Sequence, residues 1–388
     1  MPATQHPVVT LLEDLIRIDS SNPDLVPGAP GESAIADYVT SWLSERGFDC
    51  HRLEKTPGRP SIVAISRGTG GGRSIMLNGH LDTVSLGSFE TDGLLPEHRD
   101  GNVYGRGAYD MKSGIAAIMV AAEAATAQPH AGDLVLALVA DEEFASAGTE
   151  EVLRHYTTDC AIVVEPSGLD VVTAHRGFAW FEVTIHGRAA HGSRRDLGSD
   201  AIVKAGAFLT ALGQHDVELS QRTSHPMLGT GNIHASVITG GEEQSSYPAS
   251  CTIALERRTL PGENSVTVEA ELRGILDMIA SGDADFKYSV SAGLERNPFS
   301  VESNEPVVAS LIAAATNNLG ATPSVRGEPF WTDCALLSDA GIPTVLFGVD
   351  GGGAHAAEEW VTVRSLVALT NTLEEVIMNV TDGPGSGR

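Results

Sequence analysis

The sequence predicts an α/β protein built on a mostly parallel mixed sheet flanked by helices, with an inserted ferredoxin-like α+β domain. In the first and last parts of the chain, short apolar runs rich in Val, Ile and Leu alternate with segments of helical periodicity, which is typical of α/β domains. In the middle, the predicted order of elements changes to β-α-β-β-α-β, a ferredoxin-like unit. We therefore predict a first domain formed by residues 1–174 and 295–388, interrupted by an inserted domain at 175–294.

The first domain begins with two predicted helices, because apolar residues recur there at helical spacing. The apolar runs that follow are interpreted as buried strands, and an Ala-rich segment between them as a helix. In this first part, the predicted helices are 7–19, 31–46 and 112–126, and the predicted strands are 61–66, 74–82, 133–143 and 160–166.

The middle of the chain contains four predicted strands and two predicted helices. The strands are 176–187, 231–241, 250–259 and 285–293, and the helices are 199–214 and 263–280. After residue 294, a helix at 304–320, a buried strand at 341–348 and a closing helix at 365–380 follow. The alternation of the first domain therefore resumes at the end of the chain.

Composition excludes several classes of protein. The 388 residues include 25 Lys and Arg against 51 Asp and Glu, a net charge of -26, which argues against binding to nucleic acid or to an anionic membrane. We attribute most of this charge to solubility and a smaller part to attraction of divalent cations. The four cysteines form no C-x-x-C pair and are interpreted as buried free thiols.

The two ends of the chain carry no targeting signal that we recognise. The N-terminus MPATQHPVVTLLEDLIRI lacks a basic region followed by a long apolar core. No stretch approaches the roughly 18 uninterrupted apolar residues of a membrane-spanning helix. We expect a soluble, cytoplasmic protein whose tail, TDGPGSGR at 381–388, is a disordered end.

Polar residues follow the predicted strands, beginning with His80 and Asp82 in GHLDTV. On an extended segment, residues two apart point to the same side. His80 could therefore bind a metal while Asp82 accepts its other ring proton and fixes the tautomer. This spacing alone is a weak signal, and it gains weight only from the other segments.

Four further carboxylates are candidates for the same site. Asp110 lies in the Gly-rich turn GRGAYDMKSG, where it could bridge two cations or simply cap the following helix. Glu142 and Glu143 in ADEEF follow a buried strand, where one could bind metal and the other a water; the alternative is a solvated acidic turn. Glu165 again follows an apolar run, and open α/β sheets bind ligands at these strand ends.

His355 in GVDGGGAHAAEEWV completes the set, with Glu358 and Glu359 beside it as supporting or capping groups. A lone histidine in a Gly-rich loop is more often merely exposed. Carboxylates and imidazoles without thiolates favour zinc, cobalt or manganese in a catalytic rather than a structural site. Because His355 is so distant in sequence from Glu165, its inclusion requires the chain to return to its first domain.

These segments, in this order, carry a family resemblance. GHLDTV, GRGAYDMKSG, ADEEF, VEP and GAHAAEEW resemble the motif series of the M20 metallopeptidase and amidohydrolase family. That family includes acetylornithine deacetylases, succinyl-diaminopimelate desuccinylases, aminoacylase-1 and glutamate carboxypeptidases. The resemblance covers nearly the whole chain and implies a zinc exopeptidase-like fold whose inserted domain is a lid and dimerisation module.

The resemblance also implies a role for each candidate residue. Two divalent metal ions are expected, zinc first, with cobalt or manganese as alternatives. Asp110 would bridge them and precede a cis peptide bond. Glu142 would be the catalytic base and Asp82 would orient a histidine ligand. The pairs that would complete the two metal sites are His80 with Glu165 and Glu143 with His355.

Four residues of the later chain are candidates for the substrate side. His191 in GRAAHGSRRD resembles a family histidine that reaches the partner subunit's active site and stabilises the oxyanion; the alternative is a surface histidine. Arg258 resembles an arginine that pairs with a substrate carboxylate. Ser245 stands where many relatives have Asn, which changes the clamp on the substrate. Trp331, after Phe330, would either shape an apolar pocket or pack in the core.

We therefore expect a dizinc hydrolase that cleaves the amide bond of an N-acyl amino acid or similar small amide, with a water between the metals activated by Glu142. Its partners would be a small-molecule amide and a second copy of the chain, bound through the inserted domain. A dipeptidase or carboxypeptidase-type exopeptidase is the alternative. A non-catalytic binding protein is less favoured, because no expected ligand is lost.

Overall fold

A computed structural model describes residues 6–383, except Ser88, Glu90 and Thr223. The chain forms two compact units. The first contains the residues up to Thr173, Val301–Arg326 and the residues from Thr332 onward; the second contains Ala174–Ser300 and Gly327–Trp331. Residues 384–388 of the predicted disordered tail lie outside the described part of the chain.

The described residues form helices that alternate with strands along much of the chain. The helices are α1 (Pro7–Ile16), α2 (Ser33–Ser44), α3 (Lys112–Ala125), α4 (Ala147–Val152), α5 (Ala201–Ser220), α6 (Ser265–Gly282), α7 (Pro306–Leu319), α8 (Cys334–Asp339) and α9 (Val363–Thr381). The strands are β1 (Asp49–Leu53), β2 (Ser61–Ser66), β3 (Ile75–His80), β4 (Glu97–Arg99), β5 (Asn102–Tyr104), β6 (Leu134–Val139), β7 (Cys160–Val163), β8 (Val171–His175), β9 (Gly177–His186), β10 (Asn232–Gly240), β11 (Ser250–Thr259), β12 (Lys287–Arg296), β13 (Phe299–Ser300), β14 (Val325–Glu328), β15 (Thr344–Leu346), β16 (Gly351–Gly352) and β17 (Trp360–Thr362).

The central sheet of the first unit has the strand order β1-β2-β6-β3-β7-β15-β8. Its middle strands β6, β3, β7 and β15 are parallel neighbours, whereas β1, β2 and β8 join by antiparallel pairing. This confirms the predicted α/β class with a mixed sheet. Because the middle strands are parallel, their carboxyl ends lie at one edge of the sheet, and the segments that leave them meet there.

Helix α3 shows why these elements pack as they do. Its sequence is rich in Ala, and every residue from Lys112 to Ala122 is buried, because small side chains let the helix pack closely on neighbouring helices. It packs against α1 and α9 beside the sheet. Helix α9 is amphipathic and buries its apolar stripe on the same side.

Some elements differ from the sequence prediction. The strand predicted over 133–143 ends at Val139, and the residues after it form the turn that carries the acidic pair. The antiparallel edge strand β1 and the short strands of the small sheet β16-β17-β5-β4 were not predicted. These strands have two to five residues, too few for an alternating pattern to be recognised.

The second unit contains a four-stranded antiparallel sheet in the order β10-β11-β9-β12. Residues of β9 alternate between buried and more exposed, and the buried ones pack with apolar residues of α5 and α6 in a separate core. The predicted order β-α-β-β-α-β is confirmed. Trp331, which the predicted boundaries assign to the first domain, belongs to this second unit.

Two further expectations concern thiols and membranes. All four cysteines are free, as predicted; Cys160, Cys251 and Cys334 are buried, whereas Cys50 is only partly buried. Among the described helices, none combines the length and the apolar character that a membrane crossing requires.

Candidate metal centre

Most of the candidate ligands of the first unit lie at or just after the carboxyl ends of the parallel strands. His80 is the last residue of β3, the pair Glu142 and Glu143 follows β6, and Glu165 follows β7. His355 lies in the loop between β16 and β17. Since β6, β3 and β7 are adjacent and parallel, their carboxyl ends bring these side chains to one edge of the sheet.

Asp110 lies between two histidine and glutamate pairs. His80 Nε2 is 3.2 Å from Asp110 Oδ1 and 3.4 Å from Glu165 Oε1. His355 Nε2 is 3.5 Å from Asp110 Oδ2 and 3.0 Å from Glu143 Oε2. Each oxygen of Asp110 therefore faces a different histidine and glutamate pair.

The potential ligand atoms form two overlapping groups, and within each group all atoms lie within 4.8 Å of one another. One contains His80, Asp110 and Glu143, and the other contains His80, Glu142 and Glu165. The structure thus brings Glu142 into the same cluster as the candidate ligands.

The turn around Asp110 explains how this side chain reaches the site. The peptide bond between Asp110 and Met111 is cis, as the resemblance implied. Gly107 adopts a φ of +77°, a conformation that side chains with a Cβ rarely adopt. Helix α3 has Met111 as its N-cap residue, with no side-chain capping hydrogen bond, so Asp110 does not cap the helix.

The glutamates have pKa values well above the ordinary range. Burial raises the pKa of Glu142 well above its usual value, and the charge of Glu165 adds to this. Burial, reinforced by the charge of Asp110, raises the pKa of Glu143 and of Glu165 to about 7. The cluster thus contains more negative charge than its surroundings neutralise.

The histidines respond in the opposite direction. Hydrogen bonds to Asp110 and Glu143 raise the pKa of His355 to about 10. Burial lowers the pKa of His80, but the charge of Glu165 and the hydrogen bonds with neighbouring carboxylates raise it well above 6.5. Burial alone would raise the pKa of Asp110, but the hydrogen bonds with His355 and His80 outweigh it and lower the pKa. The site therefore attracts positive charge.

These residues fit a pair of divalent cations. Glu143 Oε1 is buried and has no hydrogen-bond partner among the described residues. A buried carboxylate oxygen without a hydrogen bond is costly, and a bound cation would compensate for this cost. The donor set contains only carboxylate oxygens and imidazole nitrogens, which suits zinc, cobalt or manganese.

The contacts of Asp82 differ in part from the prediction. The nearest acceptor of His80 Nδ1 is the backbone carbonyl of Asp82, at 2.9 Å, while the carboxylate Oδ1 is 3.6 Å away. The carboxylate instead accepts the backbone N–H groups of Glu142 and Glu143, at 3.1 and 3.2 Å. Asp82 therefore orients the histidine mainly through its backbone and holds the acidic pair through its side chain.

A buried polar network behind this carboxylate was not predicted. Asn22 Nδ2 donates to Asp82 at 2.8 Å and to Asp141 at 3.1 Å. Arg59 donates to Asp141 at 2.8 Å and to both oxygens of Glu32 at 2.7 and 2.8 Å. Asp141 has a φ of +70°, and this unusual conformation beside the acidic pair was not visible in the sequence.

The four candidate residues of the substrate side all lie in the second unit. His191 is exposed, and its Nδ1 accepts the backbone N–H of Ser193 at 3.2 Å and lies 2.8 Å from Ser193 Oγ. Since Nδ1 accepts, the neutral ring carries its proton on Nε2, which is free to act as a donor elsewhere. Ser245 is also exposed, and its hydroxyl donates to Glu243.

Arg258 and Trp331 belong to an aromatic cluster of the second unit. The Nε of Arg258 donates to Glu256 at 2.6 Å, and its guanidinium lies 5.5 Å from the ring centre of Phe178. Trp331 is half-buried, packs edge-on against Phe178 and donates its Nε1–H to the carbonyl of Asn297. Trp331 therefore contacts residues of its own unit and keeps part of its surface exposed.

Comparisons with known proteins agree with this geometry. The family model of Peptidase family M20/M25/M40 matches residues 76–379. The chain is 29% identical to N-formyl-4-amino-5-aminomethyl-2-methylpyrimidine deformylase of Bacillus subtilis, over 91% of this chain and 90% of the relative. It is 28% identical to acetylornithine deacetylase of Myxococcus xanthus, over 96% and 97%.

A solved structure shares the fold. A tripeptidase from Staphylococcus aureus superposes with a TM-score of 0.79 at 21% identity, covering 97% of this chain and 98% of that one. Together with the family match over most of the chain, this gives one conclusion. The chain belongs to Peptidase family M20/M25/M40 and is a metal-dependent hydrolase.

Proposed function

We propose that the protein is a dinuclear metal amidohydrolase that removes the acyl group from an N-acyl amino acid or a similar small amide. The observation that carries this proposal is the position of Asp110 between two histidine and glutamate pairs, with Glu142 in the same cluster. A paired-cation site beside a separate buried carboxylate contains the parts that hydrolysis of an unactivated amide requires.

The proposed ligands divide into two sets that share Asp110. His80 and Glu165 would hold one divalent cation, and Glu143 and His355 the other. When bound, two such cations polarise the amide carbonyl and lower the pKa of an attacking water. Zinc is the metal we propose, with cobalt and manganese compatible with the same donors.

Glu142 is the residue that we assign as general base. Its raised pKa suits a group that accepts a proton from the attacking water and then donates it to the departing nitrogen. Its backbone N–H is held by Asp82 at 3.1 Å, so the segment that carries it is fixed. Glu143, the next residue, points to His355 instead, which separates the two roles along the chain.

The second unit supplies the proposed substrate contacts. We assign His191 the role of oxyanion donor across a homodimer. In this role, Nε2–H of His191 of the partner subunit would donate a hydrogen bond to the developing oxyanion. We assign Arg258, with Ser245, to a carboxylate or carbonyl of the substrate, and Trp331 to an apolar group. The support is chemical: a guanidinium already oriented by Glu256, and aromatic rings gathered beside it.

The proposed homodimer would form through the second unit. Strand β10 is an edge strand of its sheet, and Val237 and Ile238 on this strand are more than half exposed. Val203 on α5 is 72% exposed. Apolar residues on and beside an edge strand are suited to burial against a second copy. Sedimentation of the wild type and of a Val203→Glu, Val237→Lys variant tests this, since the variant should sediment as a monomer.

A substrate panel tests the activity. The purified protein, loaded with zinc or cobalt, should hydrolyse at least one member of a set of N-acetyl, N-succinyl and N-formyl amino acids. Dipeptides belong in the same panel. If only dipeptides were cleaved, the protein would be an exopeptidase and not a deacylase. N-formyl aminomethylpyrimidines should be included, since a deformylase is among the relatives. The Glu142→Ala protein is the blank, and equal rates in both proteins would refute the proposal.

A further inference from the structure

Glu359 and Arg106 form a buried ion pair that no step of the proposed reaction uses. Arg106 Nη1 donates to Glu359 Oε2 at 2.8 Å, and each side chain is only 1% exposed. Burying two charges is costly unless further hydrogen bonds compensate for the lost water. The remaining contacts of this pair therefore indicate what it is for.

The carboxylate of Glu359 accepts hydrogen bonds from the backbone of the turn that carries Asp110. Oε1 accepts the N–H of Asp110 at 3.0 Å and that of Tyr109 at 2.9 Å. Oε2 accepts the N–H of Gly107 at 3.0 Å, in addition to Arg106. The backbone N–H of Asp110 is thus hydrogen-bonded directly to the side chain of Glu359.

The guanidinium of Arg106 extends the same pair to the loop of His355. Its Nη2 donates to the carbonyl of Ala356 at 3.0 Å, and its Nε donates to the carbonyl of Ser85 at 3.1 Å. Ala356 is the residue immediately after His355. One ion pair therefore contacts the backbone beside both ligands.

The strand pairing explains why these groups meet. Trp360 of β17 is the register partner of Tyr104 of β5, and the N–H of Gly105 donates to the backbone carbonyl of Glu359 at 3.1 Å. The antiparallel pair thus places Glu359 at the start of the Gly-rich turn. Its side chain can then accept hydrogen bonds from the backbone N–H groups of Gly107, Tyr109 and Asp110.

We propose that Glu359 and Arg106 are positioning residues that fix the backbone of Asp110 relative to the backbone beside His355. The distance between these two ligands is then already fixed in the metal-free protein. This inference rests on the proposed metal centre. It assigns neither residue to the metal or to the substrate, and it distinguishes Glu359 from its neighbour Glu358.

Substitution by glutamine is the sharpest disruption, because it keeps the size of the side chain. An amide has one acceptor oxygen, whereas Glu359 faces N–H donors with both oxygens. In either orientation, the NH₂ group of Glu359→Gln must face Asp110 and Tyr109, or Gly107 and Arg106. Arg106→Lys is a milder change that keeps the charge but cannot contact Glu359, Ala356 and Ser85 together.

The first measurement uses metal-free protein. Hydrogen exchange of residues 105–111 and 351–359 should be faster in Glu359→Gln than in the wild type, with smaller changes in Arg106→Lys. The second measurement is a two-site titration with Co²⁺ followed by its absorption spectrum. We expect the affinity of the cation held by His355 and Asp110 to fall by about 10- to 100-fold, the usual effect of removing a group that orients a ligand.

Glu358→Gln is the matched control. Glu358 is half-exposed and pairs with Arg99 on the surface, so this variant should match the wild type in both measurements. If Glu359→Gln does not fold, Arg106→Lys supplies the same two readouts.

The outcomes separate the two proposals. A wild-type protein that binds no cobalt would refute the proposed metal centre. A wild type that binds two ions, with Glu359→Gln and Arg106→Lys binding them equally well, would overturn the positioning role even if both variants melted at lower temperature.

Discussion

In the first unit, the proposed ligands and the groups behind them are mostly buried, whereas His191 and Ser245 in the second unit are exposed and Arg258 is half-exposed. The first set is held by partners from distant parts of the chain, such as Asn22 on Asp82. The second set is held by residues two positions away, such as Ser193 on His191 and Glu256 on Arg258.

This difference has physical consequences for the two sets. A buried charge without its partner is strongly destabilising, so each carboxylate near the metal centre must keep its contacts if the unit is to fold. An exposed group is solvated by water and can be replaced with little effect on stability. We therefore expect the loss of a buried charged partner in the first unit to reduce stability, and substitutions of exposed residues in the second unit to change activity alone.

The largest effect should follow Glu142→Gln, because the amide cannot accept the proton of the attacking water. We expect kcat to fall by about 10³- to 10⁴-fold, the upper range for a general acid and base. Steady-state kinetics with the best substrate of the panel measures this. The unfolding temperature of the metal-free protein should be unchanged or higher, since one charge leaves a crowded acidic cluster.

Glu143→Gln is the matched comparison for Glu142→Gln. Glu143 contacts His355 at 3.0 Å, so its substitution should reduce the number of bound metal ions. Metal analysis after dialysis distinguishes the two variants. If Glu142→Gln also loses a metal ion while Glu143→Gln keeps both, the assignment of base and ligand is reversed.

The parts of the site that could be predicted from sequence are those with a local signal. His80, Glu142, Glu143 and Glu165 follow buried apolar runs, and the carboxyl ends of parallel strands meet at one edge of the sheet. A polar residue directly after such a run is therefore informative without knowledge of its partners. The ferredoxin-like order of the second unit was also predictable from local pattern, because its elements have nine or more residues.

The supporting groups carried no such signal. Asn22 and Arg59 occur in segments without periodicity, and their partners, Asp82 and Asp141, are 60 to 119 residues away from them. Only the pairing of strands brings them together. The predicted contact of the Asp82 carboxylate with His80 was also incomplete, because residue spacing cannot show that the backbone carbonyl lies closer.

The buried network predicts the next largest effect, in stability. Arg59→Met removes the guanidinium that contacts Glu32, Asp141 and Asp24, leaving a completely buried glutamate without its partner. We expect the free energy of unfolding to fall by about 3–5 kcal/mol, measured by urea denaturation. Arg99→Met, which breaks a surface pair, is the control and should change little. Equal stability of Arg59→Met and the wild type would contradict the contrast between the two units.

His191→Ala should reverse this pattern, with a change in activity but none in stability. Loss of a single oxyanion donor lowers kcat by about 10²- to 10³-fold, whereas an exposed ring contributes little to folding. Kinetics and thermal unfolding of the same preparation provide both readouts. His186→Ala, another exposed histidine of the second unit, should retain wild-type kcat. A His191→Ala protein with full activity would remove His191 from the mechanism.

The smallest effect should come from the most buried ion pair between helices of the second unit, where Glu271 of α6 contacts His215 of α5 and Arg222. Burial alone raises the pKa of Glu271, but the hydrogen bonds from His215 and Arg222 outweigh it and lower the pKa to about 2. A carboxyl whose pKa is lower in the folded than in the unfolded state stabilises the fold above its unfolded pKa. That stabilisation is lost as the pH falls from about 4.5 towards 2.

Glu271→Gln should therefore destabilise α5 and α6 at pH 7 by about 1 kcal/mol, a modest value because the pair is partly exposed to solvent. Hydrogen exchange of these helices measures the difference, which should shrink as the pH falls from about 4.5 towards 2. Glu269→Gln breaks an i,i+4 pair with Arg273 on the same helix and should have a smaller effect at every pH. A Glu271→Gln effect of equal size at pH 7 and pH 2.5 would show that lost packing, and not the ion pair, is responsible. A Glu271→Gln effect as large as that of Arg59→Met would show that the second unit also depends on its ion pairs for folding.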